Sequence, residues 1–138
     1  MKAIIDSNIF LNVINHEPSE KFSSDFLERV ENRKVIGYMS AVQIPEIYRS
    51  AFNLQGETAA IVAIGRIKNI VEVISCSEEI GFQAAPIYQK YKKLNHKFSI
   101  IDAIIVSTAL HTNLDFIVTR DPDFDFVTEI RVAKPEGL

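Results

Sequence analysis

The segment from Ser99 to Phe124, SIIDAIIVSTALHTNLDFIVTRDPDF, constrains the fold more than any other part of the chain. Ile100, Ile101, Ala103, Ile104, Ile105 and Val106 make its first half apolar around the whole circumference, so a helix here has to lie against a core. A polar turn at Asn113 leads into Phe116, Ile117 and Val118, which read as a short buried strand. A buried helix feeding directly into a buried strand belongs in a layered α/β domain. Two acids stand where apolar structure does not ask for them. Asp102 lies inside the apolar helix, and Asp121 follows the strand, at the carboxyl end where open α/β sheets place their chemistry.

The rest of the chain repeats the alternation. Lys2 to Ile5 read as a strand that runs through Asp6, Ser7 and Asn8 into a helix carrying Ile9, Phe10, Leu11, Val13 and Ile14. After a turn at His16 to Ser19, Phe22, Phe26, Leu27 and Val30 recur at helical spacing. Val35 to Met39 form a second strand, and Ser40 with Gln43 gives a capping-box pattern for the next helix, which carries Glu46 beside its apolar face. Pro45 should bend that helix or shift its start. A helix through Ala60, Ile61, Ile64 and Ile67 precedes a third strand, Val71 to Ile74, and Cys76 reads as a small core residue at its end. Ile80, Ala84, Ile87, Tyr88 and Tyr91 mark another helix, with Pro86 as a kink. Ile130 and Val132 indicate a final edge strand. The expected architecture is one three-layer α/β domain over residues 1–138, a mainly parallel twisted sheet flanked by helices.

Composition narrows the function classes. A single cysteine excludes an internal disulfide, no glycine-rich phosphate loop is present, and no apolar run approaches the ~20 residues of a membrane helix. The apolar start, Met1 to Ile5, is too short for a signal peptide, so a cytoplasmic location is expected. A net charge of -3 is not that of a general nucleic-acid coat protein. Lys90, Lys92, Lys93 and Lys97, around His96, form a basic cluster just before the Asp102 helix, either a solvated face or a set of phosphate contacts.

Each acid has a local explanation. Asp6 or Ser7 can cap a helix, Ser99 and Asp102 fit a capping box, Asp121 before Pro122 fits a cap with proline at the first helical position, and Glu46 fits a solvated helix residue. Their arrangement is harder to dismiss. Asp6 and Asp121 follow strands, while Glu46 and Asp102 begin helices that would start from the same sheet edge. Parallel neighbouring strands would bring all four into one cleft, where they need raised pKa values or a compensating cation. An all-oxygen set favours Mg²⁺ or Mn²⁺ over zinc. Such a cation activates water and neutralises phosphoryl charge, which suits a phosphodiester substrate.

DSNIFL at residues 6–11, SAVQIPEIYR at 40–49, SIIDAIIVSTAL at 99–110 and DFIVTRDPDF at 115–124 together resemble the four acidic motifs of PIN-domain ribonucleases, most nearly the VapC-type toxins of toxin–antitoxin pairs. The resemblance spans essentially the whole chain. It implies metal-binding and catalytic acids at Asp6, Glu46, Asp102 and Asp121, with Asp123 as a further acid and Ser7, Asn8 and Thr119 as supporting polar groups. It also implies an endoribonuclease dependent on Mg²⁺ or Mn²⁺, which hydrolyses RNA with a metal-activated water and leaves a 5′-phosphate. The implied partners are an RNA substrate, a small antitoxin protein and a second copy in a homodimer.

Three other readings compete. A PIN nuclease of RNA processing keeps the fold and chemistry without an antitoxin. A non-catalytic α/β interaction module would use the acids only as caps. A phosphorelay receiver would need an aspartate after its central strand, where Ser75, Cys76 and Ser77 stand, and paired acids after its first strand, where Asp6 stands alone.

Overall fold

A computed structural model describes residues 1–138. Five parallel strands, β1 (Lys2–Ile5), β2 (Ile36–Ser40), β3 (Val71–Ile74), β4 (Phe116–Val118) and β5 (Arg131–Ala133), form one sheet in the order β3-β2-β1-β4-β5. Six α-helices flank it: α1 (Ser7–Ile14), α2 (Glu20–Glu31), α3 (Ile44–Gln55), α4 (Glu57–Ile70), α5 (Glu78–Leu94) and α6 (Ile100–His111). The expected α/β sheet with helical layers is present, and its strand pairings are all parallel.

Alternation along the central strands builds two cores. Ile4 and Ile117 face one side, packing with Ala84, Ile87 and Tyr91 of α5 and with Ala103, Ile105 and Val106 of α6. Ala3, Ile5 and Val118 face the other, with Phe10 of α1, Phe26 and Val30 of α2, Ile47 of α3 and Ile67 of α4. Because side chains point alternately to the two faces of a strand, short β1 and β4 segments suffice to anchor both layers. Gly37 in β2 permits the close approach of α2: a Cβ there would lie 2.7 Å from Val30 Cγ1.

Chain direction reverses its progress across the sheet between β1 and β4. From β1 the chain builds outward through β2 and β3, then returns to place β4 on the other side of β1. That boundary is the topological switch point, the crevice where open α/β sheets bind ligands. Ile5 is in register with Val118, and the Asp6 amide donates to the Val118 carbonyl at 3.0 Å. The residues that follow β1 and β4 are thereby brought side by side.

Two local expectations resolve in detail. Pro45 sits in the first turn of α3, after a 3-10 turn at Ala41–Gln43, so it shifts the helix start and removes no interior hydrogen bond. Cys76, expected in the core, is exposed in the loop between β3 and α5, because the strand ends at Ile74 before reaching it.

Candidate metal centre

Asp6, Asn8, Glu46, Asp102, Asp121 and Asp123 line one cleft at the carboxyl edge of the sheet. One carboxylate oxygen from each of Asp102, Asp121 and Asp123 lies within 4.8 Å of the others. Asp6 and Glu46 line the same cleft outside this tight trio. Asp123, the further acid that the motif implied, is one of this close trio. Ser7 and Thr119 are buried beside the cleft. Ser7 Oγ accepts from the Gln43 amide at 3.2 Å.

The anchoring of each acid follows from its local sequence. Asp6 occupies the cap position of α1, yet its side chain makes no capping hydrogen bond. Instead its Oδ2 accepts from Thr119 Oγ1 at 2.6 Å. That hydroxyl also accepts from the Asp121 amide at 2.9 Å and from Asn8 Nδ2 at 3.1 Å, so a single threonine fixes residues from both strand ends. Asn8 Oδ1 accepts from the Arg120 amide at 3.3 Å and completes the link.

Asp102 does form the capping box. Its Oδ2 accepts from the Ser99 amide at 2.8 Å, and Ser99 Oγ accepts from the Asp102 amide at 3.1 Å. Asp121 Oδ1 accepts from the Asp123 amide at 2.8 Å, the local cap expected before Pro122. Asp123 Oδ1 accepts from Asn95 Nδ2 at 2.8 Å. In each of these four aspartates one carboxylate oxygen accepts from a protein donor, which orients the group.

Two aromatic contacts set the distance between the acid-bearing loops. Phe98, just ahead of the Asp102 capping box, and Phe124, just after Asp123, are fully buried and meet edge-on with centroids 6.0 Å apart. Tyr91 packs on Phe98 as well, with ring centroids 5.3 Å apart. This apolar joint brings the residue before α6 against the loop after β4.

The electrostatic cost of the arrangement is visible in the proton affinities. Burial pushes Asp6 up to about 7; the Thr119 hydrogen bond opposes this, and Asp102, Glu46 and Asp121 add to it. Burial likewise pushes Asp102 up to about 6, against the Ser99 hydrogen bonds and with repulsion from Asp121 and Asp123. Asp121 is also raised, first by burial and further by Asp123. None of these carboxylates pairs with a lysine or arginine; the ion pairs of the chain lie elsewhere. An all-oxygen donor set with no ion-paired lysine or arginine fits a hard divalent cation.

Gln43, Asn95 and Arg120 carry structure that their local sequence did not announce. Gln43 completes the Ser40 capping box, and its amide also donates to the Ile5 carbonyl at 2.9 Å, tying the end of β2 to the end of β1. The capping pattern was the only local trace of this role. Arg120 makes a bidentate pair with Glu136 at 3.1 and 2.7 Å, and Asn95 reaches Asp123 across 28 positions. Of the basic cluster, only Lys97 lines the cleft. Lys90 pairs with Glu129, and the Lys92 ammonium donates to the His96 carbonyl.

A switch-point sheet with an aspartate-rich crevice defines the class, and the chain belongs to the PIN-domain family: the family's sequence profile matches residues 3–130. Solved structures of the same fold include VapBC2 from Rickettsia felis bound to a DNA fragment from its promoter, with TM-score 0.78 and 16% identity over 97% of this chain and 98% of that one. VapBC-1 from nontypeable Haemophilus influenzae gives TM-score 0.75 and 23% identity over 99% of each chain. VapC20 of Mycobacterium tuberculosis, a Sarcin-Ricin loop cleaving toxin, gives 0.71 and 16% over 94% of this chain and 98% of that one. No curated protein matches by sequence.

Proposed function

We propose that this chain is an endoribonuclease that depends on Mg²⁺ or Mn²⁺ and serves as the toxin of a toxin–antitoxin pair. The observation that carries the reading is the trio Asp102, Asp121 and Asp123, with carboxylate oxygens mutually within 4.8 Å at the switch point of a PIN-domain sheet. Asp6, Glu46, Asp102 and Asp121 would hold the cation, with Asp123 beside them. When bound, a divalent cation lowers the pKa of water and neutralises charge developing on phosphoryl oxygens. In the hydrolysis, a water oxygen bonds to phosphorus, the P–O3′ bond breaks, and the leaving oxygen takes up a proton, so the product carries a 5′-phosphate.

The chain's own residues prepare that reaction. Thr119 holds Asp6 by one oxygen and the Ser99 amide holds Asp102 by one oxygen, so both carboxylates enter the cleft with fixed orientation. Burial pushes Asp6 up to about 7, and a bound cation would favour its ionised form. No protein nucleophile is required.

The toxin assignment rests on the VapBC structures among those of similar fold. It implies a small antitoxin partner, a homodimer and a cytoplasmic site of action, with residues 1–138 working as one domain. No helix is long and apolar enough to cross a membrane. Two measurements test the reading together: Mn²⁺ titration calorimetry on the native chain and on Asp102→Asn, and cleavage of total RNA with Mg²⁺, Mn²⁺ or EDTA. Saturable binding weakened in the variant, with metal-dependent cleavage, supports it. Failure of the native chain both to bind Mn²⁺ and to cut RNA overturns it.

A further inference from the structure

The cleft is lined by five carboxylates and only two cationic side chains, Arg49 and Lys97. Neither comes within 4.0 Å of a carboxylate, although both border an acid-rich crevice. Three cations away from the cleft are engaged: Lys90 with Glu129, Arg120 with Glu136, and Arg131 over the Phe116 ring. Arg49 and Lys97 therefore border the cleft without a carboxylate partner, open to an anion that arrives from solution.

Both are placed by structure that also places the acids. Arg49 follows Glu46 by three residues on α3, so the two share one helix face. Lys97 is registered to the aspartate trio through Asn95. The Asn95 Oδ1 accepts from the Lys97 amide at 3.0 Å, while its Nδ2 holds Asp123. The next residue, Phe98, is buried without exposure, so the Lys97 backbone is fixed from both directions and only its side chain is free.

We infer that Arg49 and Lys97 contact phosphates of a single-stranded RNA next to the phosphodiester that sits at the acid cluster. This rests on the nuclease reading and names how that site holds its substrate. Phosphates approaching an anionic crevice need positive charge beside the scissile bond as well as at it. The guanidinium of Arg49 suits a bidentate phosphate contact, and the Lys97 ammonium acts as a point charge. Lys90, Lys92 and Lys93 lie outside the cleft and take no part.

The test is the salt dependence of RNA binding, read by anisotropy of a fluorescein-labelled, mixed-sequence single-stranded 20-mer. The Asp121→Asn chain serves as background so that the probe is not consumed. Each of Arg49→Gln and Lys97→Gln should reduce the slope of log affinity against log salt by about 0.7, and the pair by about 1.4. Lys93→Gln should leave the slope unchanged. In the otherwise native chain, both substitutions should leave Mn²⁺ binding unchanged.

An unchanged slope in the double variant overturns the inference, as does an equal reduction by Lys93→Gln. If the native chain still binds Mn²⁺ and cuts RNA, that failure touches only Arg49 and Lys97. If the native chain does neither, the nuclease reading falls first.

Discussion

Thr119 Oγ1 donates to Asp6 Oδ2 at 2.6 Å, joining the ends of two neighbouring strands across 113 positions of sequence. The same hydroxyl accepts the Asp121 amide, so its removal loosens two acids at once. Thr119→Val keeps the shape and deletes the donor. Partners behind a metal ligand are typically worth 10–100-fold in affinity, and a weakening of Mn²⁺ binding of about that size is expected by calorimetry at pH 7. An unchanged affinity would show that Thr119 serves packing alone.

The raised Asp6 and Asp102 give the metal-free protein an unusual pH profile. A carboxyl whose folded pKa exceeds its unfolded value binds more protons when folded, so stability falls as pH rises. For Asp6 the loss runs from its ordinary value of 3.8 to about 7. For Asp102 it ends at about 6. Urea melts in EDTA should show declining stability across that window, and a flatter profile in Asp6→Asn. At one pKa unit per ~1.4 kcal/mol, Asp6→Asn should stabilise the metal-free chain at pH 7 by up to a few kcal/mol. Saturating Mn²⁺ should reverse the sign of the comparison.

Phe124 is the apolar pin between the acid-bearing loops, fully buried against Phe98. Phe124→Ala should cost about 3–5 kcal/mol in denaturant melts, as large-to-small aromatic changes in cores do. Phe124→Leu should cost less and retain the fold. Mn²⁺ affinity should still fall in the leucine variant, since the spacing between Asp102 and Asp123 depends on this contact.

Gly37 tests the packing of α2 on β2. A methyl group there would stand 2.7 Å from Val30 Cγ1 and 3.0 Å from Ile5 Cδ1. Gly37→Ala should destabilise by about 1–3 kcal/mol through overpacking. Pairing it with Val30→Ala should recover part of the loss if the Val30 contact is the cause.

Much of this molecule is legible from local pattern. The strands after Met1 and Asn113, the apolar α6, the Ser99–Asp102 capping box and the cap before Pro122 all depend on residues within a few positions of one another. Pro45 was legible as a bend or a shifted start of the next helix for the same reason, and the structure shows the shifted start. Cys76 was not, because its exposure depends on β3 ending at Ile74, and flanking apolar residues do not encode where pairing with β2 stops.

The sequence by itself therefore determined the alternation of strands and helices, the two-faced apolar pattern that demands three layers, and the acids available to a site. Tertiary structure decided the contacts by which those acids meet. The β1–β4 register sets Asp6 beside Thr119, the Phe98–Phe124 contact sets Asp102 beside Asp123, and Asn95 reaches Asp123 from the end of α5. The physical reason is one of range. Periodicity and capping act between neighbours in the chain, whereas burial, repulsion between carboxylates and the raised proton affinity of Asp6 arise only once distant segments exclude water from the same crevice.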